Sequence, residues 1–155
     1  MVRQRVLSVQ CFSALAAEVL ASPVMQLEKQ LPHHGAVSCF DHSVAVALLA
    51  LAIAHKIRLR VDAASLVRGA LLHDLYLYDW HVPDPLHPHR LHGFFHPRRA
   101  LENAQRHFAL NDTERDIILR HMFPLTLIPP RCRESWLVCL ADTLCAIREY
   151  AFKKR

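Results

Sequence analysis

Only three glycines occur in 155 residues, which argues against turn-rich sheet architecture. There is no Cys-x-x-Cys pair, and the cysteines, at 11, 39, 132, 139 and 145, are odd in number. A disulfide framework and a zinc knuckle are therefore not expected; reduced thiols in a cytoplasmic protein are. Cys11, Cys139 and Cys145 fall in apolar stretches and read as core packing. No run approaches the roughly 18 apolar residues of a membrane span. Nothing repeats at a fixed period and no segment is low in complexity. At the start, Arg3 and Arg5 precede an apolar stretch, but Gln10 and Glu18 interrupt it. That pattern predicts an amphipathic helix, not an export signal.

The length suits one domain with one sizeable core. Hydrophobic residues make up 52% and charged residues 21%, a globular composition. The net charge of +5 suits an anionic ligand such as a phosphate ester. Basic residues are scattered, and only Lys153-Lys154-Arg155 forms a run, at a helix end that favours cations in any case. Neither nucleic acid nor a membrane is an expected partner, and a homo-oligomer is left open.

Residues 4–21 show helical periodicity through Val6, Val9, Phe12, Leu15 and Val19. Pro23 and Pro32 bracket a less regular piece. A strong helix is expected over 41–57, with Asp41 as its cap, and the next from Asp62 to His73 or Leu75. From Tyr76 to Phe95 the pattern disappears, with three prolines and four histidines in the stretch; a loop this long is commonly functional. Pro97 then opens a helix to Phe108. A capping-box start at Asn111–Glu114 leads to a helix reaching His121. The last helix spans 134–152, with Trp136, Leu140, Leu144 and Ile147 on one stripe. The expectation is an all-α fold of six or seven helices: a single domain with an N-terminal helical extension over 1–35 and a core over 41–150.

Six metal-competent residues sit inside or at the end of helices that otherwise call for burial: His42, His73, Asp74, His96, His121 and Asp142. A buried carboxylate without a partner is strongly unfavourable, and one divalent ion satisfies several such groups at once. Mixed imidazole and carboxylate donors suit Mn, Fe, Zn, Co or Ni better than Mg. His73 and Asp74 are adjacent, so they project about 100° apart around the helix; at a helix end the carboxylate can reach sideways or bridge to a second ion.

The stretches Asp41-His42-Ser43-Val44-Ala45, Ala70-Leu71-Leu72-His73-Asp74, His96-Pro97-Arg98-Arg99-Ala100, Ile117-Ile118-Leu119-Arg120-His121 and Leu140-Ala141-Asp142 together resemble the HD-domain metal-dependent phosphohydrolases. The resemblance implies an all-α bundle with a buried site for one or two divalent ions that hydrolyses a phosphate ester, often of a nucleotide. It assigns His42, His73, Asp74 and Asp142 to one ion, with His96 and His121 on a second bridged by Asp74, and metal-bound water as the nucleophile. Asp74 is thus also a catalytic candidate. Many members continue the His-Asp pair with Ile-Gly-Lys; here Leu75-Tyr76-Leu77 follows, which removes a phosphate-binding cation and argues against a cyclic dinucleotide phosphodiesterase. Arg98, Arg99 or a loop histidine is the candidate substitute. His92 lies four residues before His96, and either can be the third histidine. His96 is preferred because it abuts Pro97, which leaves His92 for substrate contact or proton transfer.

Other polar residues read more plainly. His81, His87 and His89 are expected to be solvated loop residues, and His55 and His107 to face solvent. Tyr78 and Trp80 could stack a nucleobase or pack on the bundle. His33, His34 and Cys39 line an entrance or form a turn, and the sequence decides neither. A non-catalytic metal- or nucleotide-binding module is the alternative to the enzyme.

Overall fold

The computed structural model describes residues 2–33, 37–79, 81–82 and 92–153, with side chains described outside 2–11, 92, 152 and 153. Within these residues the chain forms seven α-helices: α1 (Val2–Ala21), α2 (Pro23–Leu27), α3 (Cys39–Lys56), α4 (Ala63–Leu72), α5 (His92–His107), α6 (Asp112–Arg120) and α7 (Arg133–Lys153). A 3-10 turn, Glu28–Gln30, follows α2, and the only extended pairing among the described residues is a bridge between Pro32 and Ser38. The fold is all-α.

α4 is the hub. Its buried residues, Ser65, Leu66, Val67, Gly69, Ala70, Leu71 and Leu72, run round nearly the whole helix. It packs on α3, α6 and α1, while α3 and α6 each also pack on α7. A fully buried leucine or isoleucine stabilises by about 1.5–3 kcal/mol, and Leu71, Leu72, Ile117 and Ile118 have no exposure; Gly69 of α4 meets Ile117 of α6 at the α4–α6 contact. Arg68 reinforces it, donating to Glu114 of α6 at 2.7 Å and pairing with Glu18 of α1.

The helix starts follow capping chemistry. Asp62 caps α4, accepting from the amides of Ala64 and Ser65, and Asn111 with Glu114 forms a complete capping box on α6. Two expectations are corrected. α3 begins at Cys39 with Ser38 as its cap, and Asp41 sits in the first turn instead, where a carboxylate also suits the positive end of the helix. α5 begins at His92, so Pro97 lies inside it and forgoes a hydrogen bond to the carbonyl of Gly93. On α7 the inward face is Leu137, Val138, Ala141 and Cys145, while Trp136, Leu140, Leu144 and Ile147 are exposed.

α3 is long and apolar enough to cross a membrane by length and composition, with a mean hydropathy of 1.3 over 18 residues. Its buried positions, Cys39, His42, Ser43, Val46, Ala47, Ala50 and Ala54, form the stripe that faces α4 and α7, which is the position of a core helix.

Candidate metal centre

Two helices end on a histidine that closes its own helix. His73 is the residue after α4 and His121 the residue after α6. His73 Nδ1 lies 2.7 Å from the carbonyl of Ala70, and His121 Nδ1 lies 2.8 Å from that of Ile118. A carbonyl only accepts, so each Nδ1 carries the proton. Each satisfies a carbonyl that a helix end would otherwise leave orphaned, and each turns its Nε2 inward.

His42, in the first turns of α3, reaches the same state through α7. Its Nδ1 is 2.8 Å from Glu149 Oε1. Burial opposes the charge on Glu149, but hydrogen bonds to His33 and His42 outweigh it and lower its pKa to about 2. The ionised carboxylate accepts, so His42 Nδ1 donates and Nε2 faces Asp142 Oδ1 at 3.0 Å. Asp142 and Glu149 are seven residues apart, two turns along one face of α7.

Everything converges on Asp74, which is 3% exposed. Its Oδ2 faces Nε2 of His33 at 3.1 Å, of His73 at 3.5 Å and of His42 at 3.9 Å. Its Oδ1 faces Nε2 of His96 at 3.1 Å and of His121 at 3.4 Å. Asp142 Oδ1 is 3.7 Å from His73 Nε2, and the Nε2 atoms of His96 and His121 are 2.8 Å apart. His73 Nε2 and Asp74 Oδ1 are buried and make no hydrogen bond. Two donors each about 2.1 Å from one ion stand about 3.0–3.4 Å apart at right or tetrahedral angles. The spacings match that range or lie slightly outside it, and the orphaned atoms are what a cation would satisfy. The residues fit a divalent ion, and their mixture of imidazole and carboxylate favours a transition metal.

The titration behaviour is that of a site built around positive charge. Burial opposes protonation of His42, but its bonds to Asp142 and Glu149 prevail and its pKa rises to about 9. Burial is likewise outweighed at His73 by Asp74 and Asp142, again to about 9. Burial would raise Asp74, yet the charge of His73 and the close approach of His121, His33 and His96 hold it well below the usual carboxylate range. Asp142 is lowered against burial by His42 and His73. His121 moves the other way, its pKa lowered chiefly by burial. Without metal, then, protons on His42 and His73 compensate the carboxylates, the task a cation performs when bound.

A supporting layer surrounds this centre. Asn103 of α5 donates to the carbonyls of Leu75 and Tyr76 at 2.9 and 3.1 Å, pinning the turn that follows Asp74. The buried ring of Tyr76 stands edge-on to His96, with its hydroxyl 3.0 Å from Cys39 Sγ. Glu28 is wholly buried with neither carboxylate oxygen hydrogen-bonded, and burial, with the charge of Asp74, keeps its pKa well above the ordinary value.

The centre opens into a cavity of about 520 Å³, within the range of small-molecule sites. His33, Asp74, His96, His121 and Asp142 form its polar side. Met122, Phe123, Pro124 and Leu125 wall it on one side, and Thr143, Ala146, Ile147 and Tyr150 of α7 on the other.

The structure therefore brings together His42, His73, Asp74, His96, His121 and Asp142. It does not bring Arg98 there: that side chain is 82% exposed and pairs with Glu102 at 3.7 Å. Two residues beyond His96 is about 200° round the helix, so a residue there faces away from the site. The side chain of His92 lies outside the described residues, as do His34, Trp80, His87 and His89. His81 is exposed beside Asp79, His55 and His107 face solvent, and the ring of Tyr78 lies 5.1 Å from that of Tyr76. Sequence reasoning placed His33 no better than at an entrance or turn and passed over Glu149, whose signal was its seven-residue spacing from Asp142.

The family model described as HD domain matches residues 39–147. No curated protein and no solved structure matches the chain.

Proposed function

The chain belongs to the HD domain family, in general a family of metal-dependent phosphohydrolases, and from that premise we propose that it hydrolyses a phosphate ester, of a nucleotide by preference. The observation that carries the reading is the convergence of five Nε2 atoms on the two oxygens of Asp74. His42, His73 and Asp142 would hold one ion with Asp74 Oδ2, and His96 and His121 a second with Asp74 Oδ1. When bound, such ions polarise phosphoryl oxygens and lower the pKa of a coordinated water.

The chain's own residues do the rest. The carbonyls of Ala70 and Ile118 and the carboxylate of Glu149 hold His73, His121 and His42 with Nε2 inward. Asn103 fixes the turn that aims Asp74. His92, one turn ahead of His96 on α5, is the candidate for contacting substrate or moving a proton. The apolar cavity walls, with Phe123 and Tyr150 among them, suit a planar base. Cys39, Cys132, Cys139 and Cys145 are free thiols, in keeping with a cytoplasmic setting.

A panel of phosphomonoesters and phosphodiesters, assayed with Mn, Fe or Co, tests the reading. Turnover that disappears in Asp74→Ala is expected. Stoichiometric metal with no turnover across the panel would make the chain a binding module instead.

A further inference from the structure

His33 lies on the segment between the 3-10 turn and α3, before the first residue of the family match. It is 7% exposed. Two backbone bonds hold its segment, His33 N–H to the carbonyl of Val37 at 2.9 Å and Cys39 N–H to that of Leu31 at 2.9 Å. Its ring stacks on His42, with centroids 3.7 Å apart and planes 24° apart.

The two rings share one carboxylate. Glu149 Oε1 is 2.8 Å from His42 Nδ1, and Glu149 Oε2 is 3.2 Å from His33 Nδ1. An ionised carboxylate can only accept, so both Nδ1 atoms donate and both Nε2 atoms are left to face the same way. His42 Nε2 then meets Asp142 Oδ1 at 3.0 Å, and His33 Nε2 meets Asp74 Oδ2 at 3.1 Å. An imidazole lone pair at that distance from a carboxylate oxygen is repelled unless positive charge lies between them. Both separations also match the edge of a coordination shell, about 3.0 Å for donors each about 2.1 Å from one ion. His33 thus repeats His42: Nδ1 on an orienting carboxylate, the usual outer partner of a ligating histidine, and Nε2 on a ligand carboxylate.

The geometry points to His33 as a further metal ligand, joining His42, His73, Asp74 and Asp142 on the Oδ2 side of the centre, with Glu149 as the carboxylate that orients both His33 and His42. This rests on the metal centre proposed above. It makes the Oδ2 ion's shell richer in nitrogen and adds His33 to Asp74 and Asp142 among the ligands on the cavity wall.

A crystal structure of the wild-type protein reconstituted with cobalt, with the ion located by its anomalous scattering, tests this without any variant. The expected result is cobalt about 2.0–2.3 Å from His33 Nε2 while Nδ1 stays on Glu149. Cobalt held by His42, His73 and Asp142 with His33 Nε2 beyond about 3 Å would overturn the assignment and leave the metal centre standing. No cobalt near Asp74 would overturn both. In solution, His33→Gln is expected to change the visible absorption of the bound cobalt and to weaken its retention against a chelator by about 10–100-fold. A folded His33→Gln protein with unchanged cobalt spectrum and affinity would refute the role.

Discussion

Replacing Gly69 by alanine tests the contact that sets the two halves of the site against each other. Gly69 lies on the buried face of α4, four residues before His73. A Cβ there would stand 2.6 Å from Ile117 Cδ1 and 3.1 Å from both Cβ and Cγ2 of Ile117 on α6. Cδ1 can rotate away, but the Cβ of Ile117 is fixed to its backbone, so α4 and α6 must move apart. Alanine gains about 1 kcal/mol in helix propensity over glycine, against about 1–3 kcal/mol for overpacking. The net expectation is a loss of about 0–2 kcal/mol, at about 2–4 °C of Tm per kcal/mol for a chain of this length. The function should feel it too. α4 delivers Asp74 and α6 delivers His121, whose Nε2 is 3.4 Å from Asp74 Oδ1, so parting the helices stretches that gap and weakens metal retention. In the Gly69→Ala background, Ile117→Val removes only Cδ1 and restores little. Ile117→Ala also removes Cγ2 and relieves more of the clash, against its own cavity cost of about 2–5 kcal/mol. Denaturant unfolding of the double-mutant cycle should yield a coupling of about 1 kcal/mol or more. A Gly69→Ala protein that melts above wild type, with coupling near zero, refutes the close approach and the reasoning built on it.

Glu149→Gln keeps the shape but loses the charge that holds the Nδ1 protons of His42 and His33; metal affinity by chelator competition should fall about 10–100-fold, and an unchanged affinity would remove Glu149 from the orienting role. His42 and His73 have pKa values raised to about 9, so in the metal-free protein they contribute stability that is present below their ordinary value and lost as pH rises through 9. Melts of chelator-treated protein should therefore decline from about pH 7 upward, while metal affinity rises over the same span as the protons leave; a flat pair of profiles would contradict this. Arg120→Met should cost about 3 kcal/mol in chemical unfolding, because the buried guanidinium sits 2.7 Å from Asp116 Oδ1 and donates to the carbonyl of Pro129 at 2.7 Å; a loss below about 1 kcal/mol would mean the pair barely stabilises.

The core of the site was legible because six polar residues interrupt apolar helical runs, where each is costly unless bound. Helix identity was legible on α3, whose buried residues line one face, and on α4, which is apolar nearly all round. α7 differs. Leu137, Val138, Ala141 and Cys145 make one apolar stripe and Trp136, Leu140, Leu144 and Ile147 another, and periodicity alone does not say which faces inward. The inward choice is made by Asp142 and Glu149, which must meet His42. His33 was illegible for a different reason. It lies in no periodic segment, and its role depends on a carboxylate 116 residues away. Arg98 suits a phosphate as a cation beside a ligand helix, while its angular position, read from His96, turns it to solvent.

The central claim is that Asp74 gathers divalent metal. Elemental analysis of wild-type and Asp74→Ala protein, each reconstituted with Mn, Fe or Co and dialysed, tests it most directly. Stoichiometric metal in the wild type and its loss from a folded Asp74→Ala protein are the predicted result. A wild type that retains no metal, or an Asp74→Ala protein that retains as much as wild type, would contradict the account.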